Sequence, residues 1–183
     1  MRVSTVLREA LIAEFAKCCY SKGLCLTFDS VGKLIYLLQV LYNKVPIIYD
    51  YYLYEKNGPV GVGLEKDIKE SVILNNIIIK DGEIEPDNNT LNAIKKGWIF
   101  LEKVRPHISD VLDRFGEITH KELDNISSVV YINKHIDEFV TEEDVDKNVF
   151  IESIMNEYSY VSHDEVQKAI NYLLQWEHME RLV

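Results

Sequence analysis

The length, composition and charge of the chain exclude several classes of protein. The chain has 183 residues, of which 47% are hydrophobic and 27% are charged. It can therefore bury a substantial core, and a disordered or collagen-like protein is excluded. The formal net charge of −10 disfavours non-specific binding to the phosphate backbone of nucleic acids.

The chain carries no sequence signal for a membrane or for secretion. Its longest apolar runs, at residues 34–42 and 72–79, fall well short of the roughly 20 residues that cross a bilayer. The first residues lack the apolar block and cleavage site of a signal peptide. Cys18, Cys19 and Cys25 are an odd number without metal-binding spacing, which predicts reduced thiols. We therefore expect a cytoplasmic protein.

Two helices are predicted at the beginning of the chain. Apolar residues recur at helical spacing over residues 7–18 and again over residues 31–41. Gly23 fits the break between the two helices, and Thr27 supplies the N-cap of the second one.

A strand and a tight turn are predicted next. Residues 47–55 are rich in β-branched residues and tyrosine, and they are followed by Asn57, Gly58 and Pro59. Pro59 is suited to the first turn of a helix, so we expect a helix to begin there and to continue through residue 72.

A hairpin is predicted after that helix. Asp81 and Gly82 form a two-residue turn between the strands Ile77–Lys80 and Glu83–Pro86. Together with the tyrosine-rich strand, this predicts a small three-stranded antiparallel sheet with a winged-helix-like hairpin. The predicted fold class is α+β, mainly α, with a helical C-terminal half.

The helical C-terminal half has clear helix starts. A hydroxyl residue followed three positions later by an acid marks a helix N-terminus. It occurs three times, as Thr119 with Glu122, Thr141 with Asp144, and Ser162 with Glu165.

Two shorter helices are predicted upstream of these starts. Apolar spacing indicates one helix over residues 91–101 that stops near Pro106, and another over residues 108–115 that ends at Gly116. Turn-forming residues at 86–90 predict a boundary. The domains are then a helical and three-stranded-sheet subdomain, 1–88, and a helical subdomain, 89–183, either separate or packed as one domain.

Known chemical motifs are incomplete in this sequence. Gly58 to Gly63 lies between a strand and a helix, as phosphate-binding loops do, but it lacks both the dinucleotide fingerprint and the Walker pattern. The five histidines have no metal-ligand spacing. We therefore predict no catalytic, cofactor-binding or metal-binding residue. The tyrosines of residues 49–54 are predicted to pack in the sheet, or alternatively to form an interaction surface.

The stretch from Val31 to Gln39 and the stretch from Tyr51 to Pro59 together resemble the YwgA-like family of prokaryotic proteins. More distantly, they are similar to the Panacea or SocA-type antitoxin domain. The resemblance implies a small α+β domain extended by helices and no established reaction. The positions of the family motif, whose role is unknown, are Lys33, Tyr36, Tyr54, Gly58 and Pro59.

Two functions follow as hypotheses from these observations. The first is a non-enzymatic interaction or regulatory protein, antitoxin-like, that acts through contacts with a protein partner, without a cofactor and without a membrane. The alternative is a winged-helix-like DNA-binding transcriptional regulator, with phosphate contacts from Lys66, Lys69 and Lys80. A homo-oligomer stays open under both hypotheses.

Overall fold

The computed structural model describes residues 3–42, 44–54, 57–135, 147–159 and 161–175. Within these ranges the fold is mainly helical, with eight helices and two antiparallel two-stranded sheets. The α+β, mainly α, class is therefore confirmed. The elements are α1 (Thr5–Lys22), α2 (Phe28–Leu41), β1 (Tyr51–Tyr54), β2 (Gly58–Gly61), α3 (Leu64–Ile73), β3 (Ile77–Lys80), β4 (Glu83–Pro86), α4 (Thr90–Lys96), α5 (Trp98–Phe115), α6 (His120–Lys134), α7 (Lys147–Ser159) and α8 (His163–Leu174).

The chain divides into two compact units. The first unit comprises Met1–Tyr51 and Gly61–Ile118, and the second comprises Tyr52–Val60 and Thr119–Val183. This division differs from the predicted boundary at residues 88 and 89, because α1 packs against both α4 and α5. Helices α4 and α5, which follow residue 89, thus join the N-terminal helices.

Helix α1 is the centre of the first unit. Its residues from Ala10 to Ala16 are all buried, and the helix packs against α3, α4, α5 and β4. A helix that is buried on every side needs neighbours all round, which these four elements supply. The predicted break at Gly23 is confirmed, because this residue ends α1 in the left-handed conformation with φ 69°. The predicted N-cap is confirmed too, since the Thr27 hydroxyl accepts a hydrogen bond from the amide of Ser30 at 3.2 Å.

The predicted three-stranded sheet is wrong. The tyrosine-rich strand β1 pairs with β2, and β3 pairs with β4, so the described strands form two separate two-stranded sheets. Gly58 has φ 67°, a conformation that glycine adopts at little cost, so the chain reverses soon after Tyr54 and pairs with the segment that follows at once. Pro59 therefore lies in a strand, and helix α3 begins only at Leu64.

The predicted hairpin turn is confirmed. Asp81 and Gly82 have φ 52° and 85°, as the tight two-residue turn between β3 and β4 requires. The other edge of β4 meets the loop before α2, where the amide of Ile84 donates to the carbonyl of Leu26 at 2.6 Å. This loop occupies the place that the tyrosine-rich strand was expected to take.

The predicted stop of the helix at Pro106 is also wrong. Pro106 lies inside α5, and the interruption occurs at Gly97, between α4 and α5. A Cβ added to Gly97 would lie 2.5 Å from the Cβ of Ala10, so the close approach to α1 requires glycine at this point. Pro106 removes one backbone hydrogen bond, and the buried stripe of α5 holds the helix on both sides of it.

Helix α6 is the centre of the second unit. Apolar residues on several of its faces are buried, and it packs against α7 and α8. The predicted helix starts at Thr119 and Ser162 are confirmed: the amide of each donates to the glutamate three residues on, at 3.0 Å in both cases. The predicted start at Thr141 with Asp144 lies outside the described residues. Within the described part of the chain, every helix is too short or too polar to cross a bilayer.

Candidate functional site

The five family-motif positions belong to different units. Lys33 and Tyr36 lie on α2 in the first unit and are buried. Tyr54, Gly58 and Pro59 lie in the β1–β2 hairpin of the second unit, where Tyr54 is exposed and the other two are buried. The expectation that these residues are structural landmarks rather than catalytic groups stays a prediction.

Three tyrosines pack together in the first unit. The rings of Tyr36 and Tyr51 meet edge to face with centroids 4.8 Å apart, and those of Tyr49 and Tyr51 are 6.3 Å apart. The Tyr51 hydroxyl donates to the carbonyl of Gly32 at 3.1 Å. A Cβ on Gly61 would lie 3.2 Å from the Tyr51 ring, so the ring is covered closely. Tyr49 and Tyr51 thus pack internally, in line with the packing interpretation.

The tyrosine cluster ends at a buried ion pair. The Tyr49 hydroxyl donates to the Asp67 carboxylate at 2.8 Å, and Arg8 Nε donates to the same oxygen at 2.6 Å. Burial, together with the charge of Asp67, raises the pKa of the Tyr49 hydroxyl, so it stays protonated and acts as a donor. All three groups satisfy one another, and this arrangement stabilises the packing of α3 on α1.

The lysines expected to contact phosphates are paired with carboxylates. The pairs are Lys66 with Glu70, Lys69 with Glu65, and Lys80 with Glu85. In addition, the first turn of α3 contains Glu65 and Asp67, which repel an anion from the amides at the helix start. The glycine-rich segment before α3 therefore offers poor electrostatics for a phosphate.

The thiols and the possible metal ligands show no arrangement for chemistry in the described residues. Burial raises the pKa of Cys19 to about 12, and it raises the pKa values of Cys18 and Cys25 as well. Such thiols are poor nucleophiles at neutral pH, because the thiolate is the reactive form. The described residues contain no group of three or more histidine, cysteine, aspartate or glutamate side chains able to hold a metal ion.

An exposed surface of the first unit lies on α4 and α5. Buried residues recur every three or four positions along these helices, at Thr90, Ala93, Ile94, Leu101, Val104 and Ile108. The opposite side is exposed, and we name it the α4–α5 face. It consists of Leu91, Asn92, Lys95, Lys96, Trp98, Ile99, Glu102 and Lys103.

Three large apolar side chains stand out from the α4–α5 face. Leu91 is 59% exposed, Trp98 is 50% exposed and Ile99 is 74% exposed. Leu91, Ile94, Trp98 and Leu101 are the apolar residues whose spacing predicted a helix over residues 91–101. The structure buries only Ile94 and Leu101, since the interruption at Gly97 and the packing on α1 select which side faces inward.

The Trp98 ring contacts an arginine that is paired with a buried carboxylate. The Arg105 guanidinium lies over the ring, with its central carbon 4.7 Å from the centroid. The same guanidinium forms two hydrogen bonds to the buried Glu14 carboxylate, at 2.7 and 3.2 Å. These bonds raise the pKa of Arg105. Sequence reasoning missed this arrangement, and its one signal was an acid, Glu14, in the middle of an apolar helix.

Comparison with known proteins gives no family for the chain. No family model matches it, and no curated protein matches it. The likeness to the YwgA-like family therefore rests on the motif residues alone, and the α4–α5 face is assessed from its own chemistry.

Proposed function

We propose that the protein is a non-enzymatic interaction or regulatory protein, and that the α4–α5 face is its contact surface for a protein partner. The observation that carries the proposal is the grouping of three large, exposed apolar side chains, Leu91, Trp98 and Ile99, on one face of a helix pair. Exposed apolar side chains grouped on one face are typical of protein interaction sites, and tryptophan is among the residues that contribute most to binding.

The rigidity of the face supports the same proposal. Gly97 lies in close contact with Ala10 of the central helix, and Arg105 fixes the Trp98 ring through its bonds to Glu14. A contact residue that is already ordered loses less conformational entropy on binding, which favours affinity.

The antitoxin-like role rests on the resemblance stated above. Relatives of that type act through protein contacts, and a contact surface on the first unit agrees with such a role in a prokaryotic cytoplasm. The β3–β4 hairpin is the feature that agrees with the winged-helix-like alternative. Its Lys80 is paired with Glu85 within the same hairpin, and the DNA-binding alternative therefore has less support.

Paired substitutions on the surface test the proposal. Ile99→Asp places a charge in the α4–α5 face, and Ile73→Asp makes the same change at a residue of α3 that is 77% exposed. Both variants fold, because both side chains face solvent. Each variant is used as bait in a lysate of the source organism, and any protein retained by the wild type is then purified and its dissociation constant measured.

The expected result is a purified partner that binds the wild type and Ile73→Asp but loses at least about tenfold in affinity with Ile99→Asp. If every reconstituted partner binds Ile99→Asp as tightly as Ile73→Asp, the α4–α5 face is not the contact surface. Retention of DNA in place of protein, reproduced with the purified fragment, would favour the alternative function.

A further inference from the structure

We infer that the partner segment which binds the α4–α5 face is an acidic amphipathic helix, an inference that rests on the proposed function. The charge of the face carries it. The face contains three cationic side chains, Lys95, Lys96 and Lys103, against one carboxylate, Glu102. This excess occurs in a chain whose net charge is −10, so the face is a local exception to the charge of the whole molecule.

The positive charge of the face is available to a partner. Lys95, Lys96 and Lys103 are exposed, and none of them makes a salt bridge to a residue that the structure describes. The lysines on α3 and in the β3–β4 hairpin, by contrast, are paired with carboxylates. Arg105 is bound by Glu14, so three ammonium groups remain to attract an acidic segment. The charge of one of them, Lys96, is partly offset by the Glu9 carboxylate of α1.

The spacing of the side chains fits a helix as the partner. Gly97 accepts from the amide of Leu101 at 2.9 Å and donates to the carbonyl of Ala93 at 3.3 Å, so helical hydrogen bonds lead into and out of the interruption. Lys95, Lys96 and Lys103 lie three or four positions from Ile99 in the sequence, and this spacing places them beside it on the helix surface. Leu91 and Trp98 are seven residues apart, roughly 10 Å at the rise of a helix. A partner helix with apolar residues two turns apart and acids on its flanks matches both features.

Nucleic acid and membrane surfaces match the face less well. Leu91 and Ile99 are aliphatic side chains, which find no counterpart on a phosphate backbone, and three available lysines supply few of the phosphate contacts that tight binding needs. An anionic bilayer attracts a basic face, but membrane-bound helices carry a much longer apolar side than three residues. Acidic side chains around an apolar centre satisfy both components of the face.

Designed peptides test this inference with the intact chain. The probe is a peptide of about 18 residues with leucine at helical spacing and glutamate on its flanks, and binding is measured by calorimetry. A second peptide has lysine in place of glutamate, and a third has the acidic composition in scrambled order. The variant Lys95→Glu with Lys96→Glu reverses two charges on the face, and Lys66→Glu with Lys69→Glu makes the same change in net charge on α3.

The expected result is binding of the acidic amphipathic peptide that weakens with salt and falls about tenfold or more in the Lys95 and Lys96 variant. The Lys66 and Lys69 variant is expected to bind within about threefold of the wild type. The scrambled and the lysine peptides are expected to bind more weakly than the acidic one. Equal binding of the acidic and lysine peptides, or equal effects of the two double variants, would overturn the inference.

Other occupants give different outcomes. The inference would be overturned if a short DNA duplex or a vesicle of anionic lipid bound the protein more tightly than the peptide and lost affinity in the Lys95 and Lys96 variant. It would also be overturned if this chain formed a dimer that Ile99→Asp dissociates. If a reconstituted partner depends on Ile99 but is indifferent to Lys95 and Lys96, the proposed function stands and the acidic partner is wrong. If no partner and no peptide depends on Ile99, both proposals fail.

Discussion

Removing the Arg8 side chain is expected to destabilise the first unit strongly. The Asp67 side chain is 2% exposed, and its carboxylate forms an ion pair with Arg8, whose side chain is 24% exposed. In Arg8→Ala, the carboxylate stays buried and keeps the hydroxyl of Tyr49 as its one donor among the residues that the structure describes. A buried charge that loses its counter-charge pays its desolvation cost without compensation.

The size of the effect follows from burial. Removing one partner of a fully buried pair costs about 3–5 kcal/mol. Because a quarter of the Arg8 side chain is exposed, water reaches the vacated space, and the expected loss for Arg8→Ala is about 2–4 kcal/mol in the free energy of unfolding. With the urea dependence usual for small proteins, this lowers the unfolding midpoint by about 1–2 M.

An exposed ion pair of the same length provides the control. Lys22 Nζ lies 2.6 Å from Asp113 Oδ1, the distance that also separates Arg8 Nε from Asp67 Oδ2, but its side chains are 37% and 59% exposed. Lys22→Ala is expected to leave the urea midpoint nearly unchanged, because solvent screens exposed pairs. Urea unfolding followed by circular dichroism measures both variants. Equal midpoints for the two variants would refute the reasoning, since burial would then not set the strength of the pair.

Three further substitutions, at Gly58, Val130 and Glu165, test the second unit. Gly82→Ala in the first unit and Val149→Asp in the second serve as controls. Gly58→Ala is expected to lower the free energy of unfolding by about 2–4 kcal/mol, because a side chain strains the left-handed backbone and the added Cβ lies 2.9 Å from the hydroxyl oxygen of Ser128. Gly82→Ala, whose added Cβ has nothing within 4 Å, should lower it by only about 1–2 kcal/mol. Urea unfolding measures both. Val130→Asp buries a charge in α6 and should lower the melting temperature by well over about 5 °C, whereas Val149→Asp, at a 57% exposed position, should change it little. The bond from Lys121, together with the capping hydrogen bonds from Ser162, holds the pKa of Glu165 at about 2, below 4.5. Its stabilisation is therefore complete above pH 4.5 and is lost as the pH falls toward 2. Because Glu122 and Asp113 also have lowered pKa values, the decline in unfolding midpoint over this range should be smaller in Glu165→Gln than in the wild type.

Local signals in the sequence predicted those parts of the fold that depend on residues three or four positions apart. The N-cap at Thr27, the hairpin turn at Asp81 and Gly82, and the helix starts at Thr119 and Ser162 all agree with the structure. Each depends on hydrogen bonds or dihedral angles within a single turn of chain, so the responsible residues are adjacent in the sequence.

Features that depend on distant parts of the chain, and one local strand pairing, were not predicted in this way. The tyrosine-rich strand pairs with Gly58–Gly61 rather than with the later hairpin. This pairing is local, and it was missed because Pro59 was expected to begin a helix. The α4–α5 interruption lies at Gly97 because Ala10, almost ninety positions earlier, touches it. The prediction that the helix stops near Pro106 failed because tertiary packing keeps α5 helical on both sides of this proline.

The α4–α5 face was hidden from sequence reasoning for a related reason. Leu91, Ile94, Trp98 and Leu101 fit a single apolar stripe, and periodicity cannot decide which members of such a stripe face solvent. The decision comes from the packing of α4 and α5 against α1, together with the ion pair that holds Trp98. The basic side chains of the face are visible in the sequence, but their grouping with exposed apolar residues is not.

The buried pair of Glu14 and Arg105 separates stability from binding. Replacing a buried ion pair with apolar residues of similar size is often neutral or stabilising, because the desolvation cost disappears. We therefore expect Glu14→Leu combined with Arg105→Met to unfold at a urea midpoint equal to or above that of the wild type. If the pair also holds the Trp98 ring in place, the double variant should bind the acidic peptide about fivefold more weakly. This corresponds to about 1 kcal/mol of binding free energy, lost with the cation–π contact and with the ordering of the ring. Measuring affinity at high salt removes most of the effect of the missing positive charge. A double variant of unchanged affinity would show that the pair does not prepare Trp98 for a partner, and a strongly destabilised one would show that the pair is needed for the fold itself.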